Sequence, residues 1–177
     1  MCRARWRRFL CAIASVAVVA LIAAPLQAQT LSAGFSGGWT SLGGLGAALD
    51  LPAPSALSGS LFFDFEAGPR AHVRLGASVA ALGAETFSAF ETDFVWRFPL
   101  GRLAGLAGAG VGLFGLPAAL SPGLHLSFKA LVGVEHRLFS LVHLSATVQA
   151  LAVLRLGGEF FPGAPLLRIE AGAAMPF

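Results

Sequence analysis

Two short motifs carry residue types suited to nucleophilic chemistry, His125-Leu126-Ser127 and His143-Leu144-Ser145. Residues two apart in an extended chain share a face, so in a strand each imidazole would stand beside a hydroxyl that it could activate as a general base. The third member of such a site is missing. No carboxylate stands at a matching downstream spacing, no asparagine adjoins either serine, and the motif occurs in two neighbouring segments, which suits polar filling of an interior better than one reaction centre. Four histidines with no cysteine or clustered carboxylate beside them make no metal-ligand spacing. Gly108 and Gly110 are followed by no helix start, so no phosphate loop and no cofactor is expected.

The remaining candidates are ionic. Asp64, Glu66, Glu91, Asp93, Glu135 and Glu170 recur at alternate positions among apolar residues, and so do Arg74, Arg97, Lys129, Arg155 and Arg168, with Arg137 close to a turn. An unpaired ion in a low-dielectric interior costs several kcal/mol, so six acids matched by six bases predict paired, hydrogen-bonded side chains lining a shared interior. An ion pathway through that lining is the functional alternative.

The elements that would position these groups are strands. Apolar residues fall into eight alternating stretches, at about 31–40, 57–67, 71–82, 88–98, 103–115, 124–136, 141–155 and 166–177, each near the roughly 9–11 residues that a tilted strand needs to cross a bilayer. Leu57, Gly59, Leu61, Phe63 and Phe65 oppose Ser58, Ser60, Phe62, Asp64 and Glu66; Phe90, Thr92, Phe94, Trp96 and Phe98 oppose Glu91, Asp93, Val95 and Arg97. Charge keeps to one side. Only the fifth stretch is uncharged, and its continuation to Leu124 allows a helical reading; Gly105, Gly108, Gly110, Gly112 and Gly115, with Pro117 and Pro122, oppose it. Its small residues suit close approach by bulky neighbours.

The final stretch sets Leu167, Ile169, Ala171, Ala173, Met175 and Phe177 on one face against Arg168, Glu170, Gly172, Ala174 and Pro176. This strand resembles the last strand of Gram-negative outer-membrane β-barrels, and the chain is similar in size to the small OmpX-like barrels and the OmpA membrane domain. The resemblance implies an all-β, eight-stranded antiparallel up-and-down transmembrane barrel, with the terminal strand read by the barrel-assembly machinery and the wall in contact with outer-membrane lipid and lipopolysaccharide. It also implies a role in envelope integrity, surface adhesion or host-factor resistance. The His-x-Ser pairs resemble that of the lipid A deacylase barrels, but parity turns both pairs inward, whereas that active site lies on the lipid-facing wall. No enzymatic activity is expected. A soluble lipocalin-like barrel would place its charges outside.

At the other end, Arg3, Arg5, Arg7 and Arg8, the apolar run from Phe9 to Ala24 and Leu26-Gln27-Ala28 form the three regions of a secretory signal peptide, cleaved before Gln29. An uncleaved anchor is disfavoured by the short run and by Pro25. Its removal takes away both cysteines and four arginines, leaving 149 residues in one barrel domain with eight basic against nine acidic side chains. The formal charge of +3 therefore makes no case for nucleic acid, and disulfide or thiolate chemistry is excluded.

Connections alternate between short ones, at Gly68 to Arg70, Leu100-Gly101 and Leu138 to Ser140, and mostly longer ones at 41–56, 83–87, 116–123 and 157–165. In outer-membrane barrels the short turns are periplasmic, which places both termini in the periplasm. If the first and third turns are three-residue loops, Glu66 faces His72, Asp64 faces Arg74, Glu135 faces His143 and Lys129 faces Gln149. Eight strands enclose only enough room for their own side chains, so the lumen is expected to be plugged. Trp39, Trp96, Phe98, Phe35, Phe65, Phe139 and Phe177 lie near strand ends, where aromatic girdles form, with no tyrosine to join them.

Overall fold

The structure, a computed structural model, describes residues 30–41, 55–82, 85–115, 124–138, 141–155 and 166–177. The segment 1–28 expected to be a signal peptide, Phe139, Phe160 and Phe161 lie outside the described residues. Eight strands follow one another: β1 (Leu31–Ser41), β2 (Ser55–Gly68), β3 (Ala71–Leu82), β4 (Glu85–Leu100), β5 (Leu103–Gly115), β6 (Leu124–Leu138), β7 (Val142–Arg155) and β8 (Leu166–Pro176). Each pairs antiparallel with its sequence neighbours, and β8 returns to β1, closing the barrel. The seam is continuous from Ser32 against Pro176 to Ser41 against Leu167, so no strand edge is left unpaired.

Following direct partners around the wall from Leu31, through Phe65, Val73, Phe94, Ala109, Ala130, Ala150 and Leu167, leads back to Ser41, ten residues up the strand of origin. That stagger fixes the strand tilt and the bore together. Outward positions carry the apolar side chains: Phe35 is 61% exposed, Leu57 73%, Phe90 68% and Val132 60%. Charged side chains at mid-height turn inward, with Asp64, Asp93, Lys129 and Arg168 all buried. The uncharged stretch from Leu103 to Gly115 is strand β5, not a helix.

Three turns differ in detail from the sequence expectation. Gly68 pairs with Ala71, leaving Pro69-Arg70 as a two-residue turn, and a bulge at Ala67 restores Glu66 against His72 and Asp64 against Arg74. The second turn is Gly101-Arg102, one residue later than expected, because Leu100 pairs with Leu103 and Gly101 supplies the left-handed corner at φ 64°. The third differs most. Leu138 pairs with Val142, so the loop is 139–141, and the β6–β7 register moves by two residues: Glu135 faces Ser145 and Lys129 faces Leu151, not His143 and Gln149. A two-residue slip keeps every side chain on its face, which is why parity alone could not detect it.

Candidate functional site in the barrel lumen

The inward side chains fill the lumen in three tiers. At the end where β4, β5, β7 and β8 run into the longer connections, Phe87, Phe114, Leu151, Val153 and Leu166 are buried, and the rings of Phe87 and Phe114 pack 6.1 Å apart. This apolar stopper was missed in the sequence. Its signal was present, since Phe87, Leu151, Val153 and Leu166 share the parity of the inward polar groups on their own strands and Phe114 that of Gly110 and Gly112, which stand beside Asp93 and Ser127.

The middle tier is ionic. Lys129 Nζ lies 2.8 Å from Asp93 and 3.1 Å from Glu91. Arg168 Nη1 on β8 donates to Glu91 on β4, directly across the bore, at 3.0 Å. Glu170 accepts from Gln149 at 2.9 Å, Ser60 at 2.9 Å and Ser36 at 3.2 Å, tying together β7, β2, β1 and β8. Arg74 grips Asp64 through two bonds, at 2.7 and 2.9 Å, with its guanidinium 4.0 Å above the Phe62 ring. Paired, charge-assisted bonds of this kind hold geometry as well as charge.

Strand β5 makes the middle tier possible. Asp93, Gly110 and Lys129 stand in one row on β4, β5 and β6, so Lys129 reaches Asp93 over the glycine between them. A Cβ on Gly110 would collide with Asp93 Oδ1, and one on Gly112 would come within 2.7 Å of Ser127 Oγ. Beside this row, Val95, Leu106 and Leu131 form a dry cluster, with Gly108 against Val95 and Leu131.

The third tier, at the turn end, is a small polar cavity whose lining includes Asp64, Glu66, His72, Arg97, Arg137 and His143. Arg97 donates to Glu135 at 3.0 Å and lies 4.0 Å from Glu66, which is 47% exposed at the mouth. Despite the altered register, His143 Nδ1 still approaches Glu135 diagonally, at 3.4 Å. Arg155 pairs through its backbone with His125; its side chain lies outside the described residues.

The two His-x-Ser pairs both face inward. His125 and Ser127 are 0% and 1% exposed, His125 directly beside Phe114 of the apolar stopper, and Ser145 lies on the lumen face of β7 below Thr147. Among the described residues, no group of three or more His, Cys, Asp or Glu forms a metal-binding cluster.

No protein-family model matches the sequence, and no curated protein does. Solved structures do. Neisserial surface protein A superposes with a TM-score of 0.60 at 12% identity, over 84% of this chain and 97% of that one. The N-terminal β-barrel domain of Pseudomonas aeruginosa OprF gives 0.59 at 11% identity, over 85% and 100%. The outer membrane enzyme PagL gives 0.52 at 13% identity, over 82% and 99%. These proteins differ in what they do, and at such identities they share a backbone plan with this chain. That plan, a closed eight-stranded antiparallel ring, is the fold of the small outer-membrane β-barrels.

Proposed function

We propose that the chain is an integral outer-membrane protein of a Gram-negative bacterium whose filled barrel serves a structural or surface-interaction role in the envelope. Both termini stand on the periplasmic side, the wall contacts membrane lipid and lipopolysaccharide, and β8, with Phe177 directly after it, is the segment offered to the assembly machinery. The observation that carries this reading is the inversion of a soluble protein's pattern: large apolar side chains such as Phe35, Leu57 and Phe90 are exposed, whereas Asp93, Lys129 and Arg168 are at most 7% exposed. A soluble barrel of this wall would put its greasiest surface in water.

The filled lumen supports a protein that does not conduct. Ions entering from the turn end meet Lys129, Arg168 and their carboxylates, then the packed layer that contains Phe87, Phe114, Leu151 and Leu166. Reconstituted into planar bilayers, the purified barrel is expected to show no steady conductance; large, stable openings would establish a pore instead. The protein is also read as non-enzymatic, because a lipid in the surrounding bilayer has no route through the wall to Ser127. Loss of lipid A acyl chains on expression, abolished by Ser127→Ala or Ser145→Ala, would overturn that part.

A further inference from the structure

Among the described residues, the exposed arginines gather at one end of the barrel. Two of the turns at one end carry an exposed arginine, Arg70 between β2 and β3 and Arg102 between β4 and β5. Neither forms an ion pair among the described residues. The carboxylates of described side chains at this end, Asp64, Glu66 and Glu135, face the inward cations Arg74 and Arg97. In the sequence, the segments that join the strands at the opposite end contain Asp50 and Glu159 and neither lysine nor arginine, with Arg155 and Glu85 at the flanking strand ends.

Immediately inside the arginines, the wall is a band of large exposed apolar groups: Trp96 at 48%, Phe98 at 39%, Leu100 at 51%, Leu103 at 39% and Met175 at 57%. Trp96 pairs directly with Ala71, next to Arg70, and the Arg97 N–H donates to the Arg70 carbonyl at 2.6 Å. A cation one or two residues beyond an aromatic band sits at headgroup depth when the band sits in hydrocarbon. We propose that the turn-end rim is a binding surface for anionic phospholipids, with Arg70 and Arg102 engaging their phosphodiester oxygens. Guanidinium groups bind such oxygens through paired hydrogen bonds, and a basic side chain near an anionic lipid surface favours binding roughly fivefold. The rim selects the lipid composition of the leaflet at that end.

The inference rests on the barrel spanning a bilayer, and two tryptophans separate the two claims. Trp96 reports the turn end, whereas Trp39, paired with Leu57 and Ile169, reports the other. With Trp6→Phe in the background, Trp39→Phe and Trp96→Phe each leave one reporter, reconstituted in phosphatidylcholine vesicles containing brominated phosphatidylglycerol or brominated phosphatidylcholine. Trp96 fluorescence is expected to show about a two- to fivefold preference for the brominated anionic lipid, with Trp39 quenched equally by both. Combined Arg70→Gln and Arg102→Gln should bring the Trp96 ratio to one; if that variant does not fold, the ratio in the unsubstituted rim decides. Equal quenching at Trp96, the same anionic preference at Trp39, or a preference that survives the double replacement would each overturn the proposal. Failure of any brominated lipid to quench either tryptophan would overturn the spanning reading first.

Discussion

Arg168 shows what a single side chain does in this lumen. It is 2% exposed, and its guanidinium links Glu91, across the bore, with Glu170 on its own strand, 3.9 Å away. Removing it leaves buried carboxylates with fewer cations, so Arg168→Ala is expected to destabilise the barrel by about 3–5 kcal/mol. Glu66 provides the contrast: half-exposed at the mouth and 4.0 Å from Arg97, it should give at most about 1 kcal/mol as Glu66→Gln. Urea unfolding from phospholipid vesicles, followed by tryptophan fluorescence, measures both. Similar losses for the two would mean that the ion pairs are not what holds the lumen together. At this scale, direction was legible from alternation alone, because a period of two assigns each residue to a face. Partners were legible only where a turn fixed the register, as for Asp64 and Arg74; those of Lys129 stand two strands away, over Gly110.

Among the elements, β5 depends most on what it lacks. Its inner face presents Gly108, Gly110 and Gly112 so that side chains of β4 and β6 can meet above it. Gly110→Ala drives a methyl into Asp93 and to within 2.7 Å of the Thr92 carbonyl, and is expected to destabilise by about 1–3 kcal/mol through overpacking. Gly37→Ala, on the outer face of β1 with its nearest neighbour 3.9 Å away, should change stability by no more than about 0.5 kcal/mol. The same unfolding measurement compares them; equal effects would sink the idea that β5 is small by necessity. The sequence disclosed eight strands and the absence of a helix at Leu103, since glycine and proline weaken helices whatever surrounds them. It did not disclose where each turn begins. Leu100-Gly101 and Gly101-Arg102 have similar local chemistry, and the choice is made by cross-strand pairing of Leu100 with Leu103. The apolar stopper was obscured for another reason: Phe87, Phe114 and Leu166 look like lipid-facing residues until parity is carried to the strand ends.

The whole molecule is a closed ring of strands, and a closed ring is either fully hydrogen-bonded or open. Membrane-extracted protein is therefore expected to migrate faster in a denaturing gel when unheated than when boiled, the compact ring resisting detergent until heat breaks it. Phe177 allows folding and stability to be separated. Its side chain is 76% exposed, and its N–H donates to the Leu31 carbonyl at 2.9 Å, a bond that any residue makes. Phe177→Ala should reduce the amount of heat-modifiable barrel in cells while leaving the unfolding midpoint of the folded fraction within about 0.5 kcal/mol; unchanged yield would mean that the terminal phenylalanine is no assembly signal. The seam where β8 meets β1 carries a consequence for the molecule's topology. Because the backbone beginning near Leu31 and ending at Phe177 returns to its own starting point, the order in which the strands are written is an accident of where the gene opens. A short peptide bridging the two ends, with a new break cut at Pro69-Arg70, would describe the same cylinder from a different first letter.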